Sequence, residues 1–517
     1  MNSPQSRRCR SRLAPIGLLG CALCAALNPT AHAALFTVTS TADSGAGSLR
    51  AAIALANANA DADEIRFAIM GAGPHRITSL TTLTVNNSLL IDGYSQAGAI
   101  ANGNTPEQGG LNGTLMIELS GVNGGGTGIT FSGPSGSELT LRGLVINRFG
   151  TLVLDRGDGS LIIEGSYLGT DVDGAAVPTP VDLGVQFWVT DTDRIGGLLP
   201  QQRNLISGAR AGLSSVAISG WISATCSSVI QGNLIGTDRT GSLALPNRTG
   251  ILLSRSEVPP GANGLLIGGL ASAARNVISG NLRSGISITC SNTGGDEKCA
   301  NGTLILGNYI GTRANGVDAL GNGTEVPSPG IFSYQYNGNI SRVQIGGTDA
   351  GAGNRIAHNT RFGIDHGYGG GSGTLLIAGN QIYANSLRGI ATVGRTNDPG
   401  DVDGGPNRGQ NFPVFVSGSQ LNGQISARYA VDTALANASY PLTVHFYRSR
   451  NGSGDHYLGQ QSYATPQAPQ DAVIPVPAGL SVGFVVALAT DAAGNTSEFS
   501  EELDVDTLLA DGFENDP

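Results

Sequence analysis

Charge and aromatic side chains are both scarce in this 517-residue sequence: charged residues make up 13% and aromatics 5%. Lysine is nearly absent, Lys298 being the single one, which reads as compositional bias rather than mechanism. A charged disordered chain is excluded, because 40% of the residues are apolar. Beyond the first 33 residues no segment is apolar enough to cross a bilayer. The chain is also too long for one ordinary core, so it must hold several domains or a repeat array. What is plentiful is glycine, at 78 residues, which favours many turns linking short apolar strands.

The first 33 residues read as an export signal. Arg7, Arg8, Arg10 and Arg12 precede the apolar run "LAPIGLLGCALCAAL", and Ala31-His32-Ala33 gives a small-x-small cleavage pattern. Two alternatives stay open: "LLGC" as a lipoprotein box acylated at Cys21, or "SRR" as a twin-arginine signal, although the apolar residues that should follow the latter are missing. Cleavage removes four arginines and no acid, which takes the formal charge from -10 to -14. So acidic a chain argues against nucleic acid and anionic lipid as partners, and against a polyanionic ligand unless arginines gather locally. Three cysteines remain after cleavage. In an oxidising compartment Cys290 and Cys299 are placed to close "CSNTGGDEKC" as a disulfide, the alternative being that they stay unpaired. Cys226, in "SATCSS", matches the setting of Cys290 and reads as a small buried residue.

Self-similarity is the strongest signal. "IGG" begins at Ile195, Ile267 and Ile345, and each copy leads into an asparagine-led strand, "RNLISG", "RNVISGN" or "GNRIAHN". A second phrase recurs as "LIIEGSYLGTDVDG", "VIQGNLIGTDRTG", "LILGNYIGTRANG" and "LLIAGNQIYAN". Short strands separated by glycine and asparagine fit a parallel solenoid, with each IGG block spanning three to four coils. Asn233, Asn308 and Asn380, with Ser166 in the first copy, then share an inward corner and form a side-chain amide ladder.

The expected layout is all-β. A capping segment (34–70) leads into a parallel β-helix (71–396), an acidic linker (397–411), an Ig-like antiparallel β-sandwich (412–506) and a flexible tail (507–517). In the capping segment Leu49, Ala52, Ile53 and Ala56 follow a helical period behind Ser48 as N-cap, so a short helix should cover the first open edge of the solenoid.

"FTVTSTADSGAGSLRAAIALANANADADEIRFAI", "IDGYSQAG", the "GN-x-IGTD" and "IGG" repeats, "GPNRGQNFPV" and "ATDAAGNTSEFS" together resemble a group of secreted bacterial right-handed parallel β-helix proteins. That resemblance spans nearly the whole chain after the leader. It implies a fold and no single reaction. The "DGFE" ending resembles a short C-terminal tail of some exported bacterial proteins. Pectate lyases, polygalacturonases and alginate lyases share the fold, which points towards a polysaccharide ligand by analogy alone. The paired-aspartate and Gly-His-Gly motifs of polygalacturonases are absent here, and a lysine base has only Lys298 as candidate.

Three constellations are candidates for chemistry. "RFGIDHGYGGG" offers Arg361, Asp365, His366 and Tyr368 as an acid–base cluster acting on a uronic acid or glycan; Asp365 and His366, being adjacent, must point to opposite faces of a strand. Asp398, Asp401 and Asp403 in "NDPGDVDGG" offer alternating oxygens for a structural Ca²⁺, as Asp171 and Asp173 do less fully in "DVDG"; the plainer reading of both is Asx-turns. Phe332, Tyr334 and Tyr336 alternate in "IFSYQYNG" and share one face, a binding stripe if outward and core if inward. A glycosidase pair from Asp155 and Glu164 is a further possibility. The sequence therefore leans towards a secreted or cell-surface protein that binds carbohydrate or envelope material without turning it over. The alternative is a polysaccharide lyase or glycoside hydrolase.

Overall fold

The computed structural model describes residues 33–506, apart from 123, 190–191, 213–214, 223–226, 257–263, 292–297, 301, 337–338, 341, 368–372 and 393–395. The leader, the tail, Tyr368, and the side chains of Tyr336, Cys226, Cys290 and Cys299 lie outside the described residues.

Three long parallel sheets of eleven, ten and ten strands run side by side, and the chain visits them in rotation. This is a parallel β-helix. Because successive coils stack in register, each inward position repeats as a column. On the first sheet the column runs Ile65, Ile91, Leu141, Ile163, Ile195, Ile230, Ile267, Ile305, Ile345 and Ile377. All ten are at most 1% exposed, which is why apolar residues recur singly in this sequence and not in long runs.

First-sheet strands begin at Arg194, Val229, Leu266, Leu304 and Val343, so these four coils take 35 to 39 residues each. The IGG strands Arg194–Gly196 and Leu266–Gly268 are thus two coils apart, not the expected three to four. Third-sheet strands of up to eight residues and their loops make each coil longer than the short repeat phrases suggest. Two corner types alternate. One is a short glycine–asparagine corner, as at Gly232-Asn233; the other is a longer one that carries a 3-10 turn, as at Pro200–Gln202.

Both corner types feed the same ladder. Side-chain amides link Asn204, Asn233, Asn276, Asn308, Asn354 and Asn380 at 2.9–3.0 Å per step, and Ser166 N–H donates to Asn204 Oδ1 at its head. A second ladder, which the sequence reading missed, joins Asn247, Asn281, Asn322, Asn359 and Asn385 at 2.9–3.1 Å.

The ends are closed differently. Helix Leu49–Asn57 covers the first coil; Leu49, Ala52, Ile53 and Ala56 are its buried face, and Ser48 Oγ accepts from Ala51 N–H. At the other end a three-stranded and a four-stranded antiparallel sheet form a sandwich around Tyr429, Phe446 and Tyr463. Its four-stranded sheet packs on the last coil through Tyr447, Val486 and Leu488. The segment expected as an acidic linker is docked there as well. Asn407, held at φ +51°, is buried; its Oδ1 accepts from Leu375 N–H and its Nδ2 donates to the Leu375 and Thr496 carbonyls.

Candidate functional site

Third-sheet strands are the longest of the β-helix: Leu183–Val189 and Val216–Ile222 have seven residues and Thr249–Ser256 eight, against two to four on the second sheet. The third sheet therefore offers the broadest outward face. Inward, Ile251, Ile286, Ile331 and Ile364 continue the core column. Alternation then turns Ser287, Phe332 and Asp365 outward as one column of register partners, with Thr289 and Tyr334 beside them.

The Phe332 and Tyr334 rings are stacked, 5.9 Å between centroids and 15° between planes, and both stay half-buried on the outer face. Next to them lies a groove of 430 Å³ floored by Thr249, Ser287, Thr289 and Phe332. Arg283 and Arg361 line its sides, and Val326–Pro329 forms a wall. Two prolines stiffen that wall. It is pinned by Glu325 N–H donating to the Leu282 carbonyl and by Ser328 N–H donating to Thr360 Oγ1.

The structure splits the expected acid–base cluster. Asp365 faces outward and pairs with Arg361 at 3.2 Å, while the Arg361 guanidinium also lies 4.8 Å from the Phe362 ring. His366 faces inward and has no exposed surface; its ring nitrogens lie 3.1 Å from Ser333 Oγ and 3.2 Å from the Gly373 carbonyl. Burial pulls its pKa down to about 4, with the Gly373 contact opposing weakly, so the ring is neutral and held inside the coil. Asp155 and Glu164, raised only as a further glycosidase option, do not face each other either. Asp155 ends a buried third-sheet strand, whereas Glu164 is on the first sheet, bound by Arg194 at 2.8 Å and Gln202 at 3.0 Å. Among the described residues the groove lining holds hydroxyls, arginines and an aromatic ring, but no carboxyl group. Such a lining can hold a polar ligand, but it lacks the facing carboxylates of glycoside hydrolysis.

The aspartates expected to hold Ca²⁺ do converge: Asp398, Asp401 and Asp403 offer oxygens within 4.8 Å of one another. Asp401 is buried. Its Oδ2 accepts from Gln410 Nε2 and Thr433 Oγ1, and its Oδ1 from Asn411 N–H. Desolvation nonetheless pushes its pKa up to about 7, with Asp398 and Asp403 adding repulsion. Asp398 Oδ2 accepts from the Val402 and Asp403 N–H groups, four and five residues on, and so closes the loop on itself. In "DVDG" Asp171 Oδ1 accepts from Ala175 and Ala176 N–H, four and five residues on, which closes a wider turn than the Asx-turn expected.

Arg283 is a groove residue that sequence reasoning passed over, because a lone arginine in "NLRSGIS" carries no motif. The chain's two tryptophans, Trp188 and Trp221, were also passed over, and they are register partners on the third sheet. Only strand periodicity counted across two coils would have aligned them.

No family model matches the chain, and no curated protein matches it. Among solved structures it is similar to the Dettilon tailspike protein (gp208), at 12% identity and TM-score 0.29, covering 90% of this chain and 91% of that one. It is also similar to an alginate lyase from Paenibacillus sp. str. FPU-7, at 14% identity and TM-score 0.25, covering 69% of this chain and 99% of that one. Among the described residues no helix is long and apolar enough to cross a membrane. The architecture rests on the chain's own ladders and columns, and by these it is a parallel β-helix protein closed by a β-sandwich.

Proposed function

We propose that the protein is exported through its N-terminal leader and binds polysaccharide outside the cell, along the outward face of the third sheet, without cleaving it. The observation that supports this reading is the stacked Phe332–Tyr334 pair standing outward beside a hydroxyl-lined groove. Flat aromatic faces take the apolar faces of sugar rings, and serine and threonine hydroxyls take their OH groups. The inward, neutral His366 and the Arg361–Asp365 pair favour holding a ligand over moving its protons.

The test is affinity electrophoresis of the purified protein through gels containing a panel of neutral and acidic polysaccharides, with tryptophan fluorescence as a second readout. Trp188 and Trp221, the only tryptophans, belong to the sheet in question. At least one polymer should retard the protein, and Phe332→Ala or Tyr334→Ala should weaken that retardation about tenfold, the loss of one buried aromatic contact. Polymer length should stay constant on long incubation. Shortening of any polymer would replace this reading with that of a lyase or hydrolase.

A further inference from the structure

On an acidic chain, arginines gathered at one groove need an explanation. Two line it, Arg283 and Arg361, and a third, Arg248, adjoins Arg283. Arg248, whose backbone carbonyl accepts from Arg283 N–H, is matched by Glu325 at 2.9 Å. Arg361 is matched by Asp365 at 3.2 Å. Arg283 makes no ion pair with any described residue, and its Nε is buried without a hydrogen-bond partner. Arg248 Nε is buried in the same way, so what sets Arg283 apart is a guanidinium that lines the groove with no acid beside it, placed to meet an anionic ligand. Its neighbours in the groove, Ser287, Thr289 and Phe332, are the groups expected around a sugar ring.

We propose that Arg283 is a specificity residue that binds the carboxylate of a uronic-acid unit, so that the protein's ligand is an acidic glycan bearing one charge per sugar. The inference rests on the glycan-binding reading above and narrows it. The planar fork of arginine matches a carboxylate with two parallel hydrogen bonds. The charge count sets the density: with Arg248 and Arg361 each compensated by an acid, one positive charge is left to meet one negative charge. A densely sulfated polymer would bring more negative charge than the groove can match and would face the acidic remainder of the chain.

The experiment compares retardation of the full-length secreted protein by polygalacturonate, by alginate, by the methyl-esterified form of each, and by dextran sulfate. Both uronates should bind at least about tenfold more tightly than their esters, as expected for a charge-assisted hydrogen-bonded pair. Arg283→Gln should reduce uronate binding to the level of the esters while leaving ester binding and Tm unchanged. Arg283→Lys, which keeps the charge but loses the fork, should recover only part of the difference. Equal binding of acid and ester would overturn the carboxylate assignment and leave glycan binding intact. Tighter binding of dextran sulfate than of either uronate would also overturn it, in favour of general charge attraction. If no polymer is retarded, the assignment and the glycan-binding reading fall together.

Discussion

Asp155 shows how much one buried carboxyl can set the behaviour of a solenoid. It has no exposed surface, its Oδ1 accepts from Gly157 N–H at 3.0 Å, and its Oδ2 has no hydrogen-bond partner. Burial pushes its pKa up to about 7, with Asp193 and Asp158 adding repulsion. The folded pKa lies above the unfolded one, so the native state retains a proton that the unfolded state releases. Stability from this group is therefore fully present below about pH 4 and is lost as pH rises to about 7. Asp401 adds the same slope over the same window. His366 and His445 oppose it: burial lowers both to about 4, so their contribution is present above about pH 6.5 and lost as pH falls towards 4. Asp155→Asn, which can keep the Gly157 contact, should raise Tm by several degrees at pH 8, a gain on the order of a few kcal/mol at about 1.4 per pKa unit. At pH 4.5 the two proteins should nearly coincide. Thermal scans at both pH values decide this, and a gap that does not change with pH would mean that Asp155 does not titrate. At this scale the sequence was partly legible. Strand alternation put Asp365 and His366 on opposite faces, but nothing local distinguishes Arg283, whose groove draws on residues from Thr249 to Arg361.

Among the elements, the asparagine corners bear most of the polar organisation of the core. Asn308 is fully buried, and its Oδ1 accepts from Asn276 Nδ2 while its Nδ2 donates to Asn354 Oδ1 and to the Ile267 and Leu306 carbonyls. Removing one rung strands groups on both neighbouring coils. Asn308→Ala should therefore cost roughly 2–4 kcal/mol, since each buried donor or acceptor left unpaired costs about 1–3. Asn385 closes the second ladder and is only half-buried, so Asn385→Ala should cost less than half as much. Urea denaturation of the two variants checks the ranking; equal costs would mean that burial does not set the worth of a rung, and no cost in either would mean that the ladders are incidental to stability. The repeated phrases made Asn233, Asn308 and Asn380 legible because they recur in one phrase. Asn204, Asn276 and Asn354 interleave from a different phrase, so the ladder's true step of one coil was hidden by the two-coil repeat. The second ladder draws on five stretches that each lead into a Gly-Ile strand start, "NRTGI", "NLRSGI", "NGTEVPSPGI", "NTRFGI" and "NSLRGI"; their unequal spacing hid a signal that the stacked coils make plain.

For the whole molecule, the decisive problem is its two open sheet edges, because an uncovered strand edge recruits further strands. The first edge was legible: the helical period behind Ser48 is local and strong. The second was not, because its cover comes from residues 32 to 119 positions away. On the last first-sheet strand, Leu375–Ala378, and the glycine after it, every alternate amide finds a side-chain oxygen in place of a carbonyl from a next coil. Leu375 N–H donates to Asn407 Oδ1, Ile377 N–H to Thr496 Oγ1 and Gly379 N–H to Tyr447 Oη. On the third sheet Thr392 N–H donates to Glu498 Oε1, while Arg388 pairs with Glu498 Oε2 at 2.7 Å. Stretches that read as linker and sandwich thus act as the solenoid's terminal cap. A chain ending at residue 396 keeps every coil but bares this edge and the apolar patch beneath Tyr447, Val486 and Leu488. It should associate edge to edge into species larger than the full-length protein, as measured by size-exclusion chromatography with light scattering at matched concentration. The triple variant Asn407→Ala, Thr496→Val, Glu498→Ala keeps the sandwich but removes three of the acceptors, and should shift part of the way towards association. If the truncated chain stays folded and no larger in assembly than the parent, the edge needs no cap, and the sandwich must be explained by what it binds.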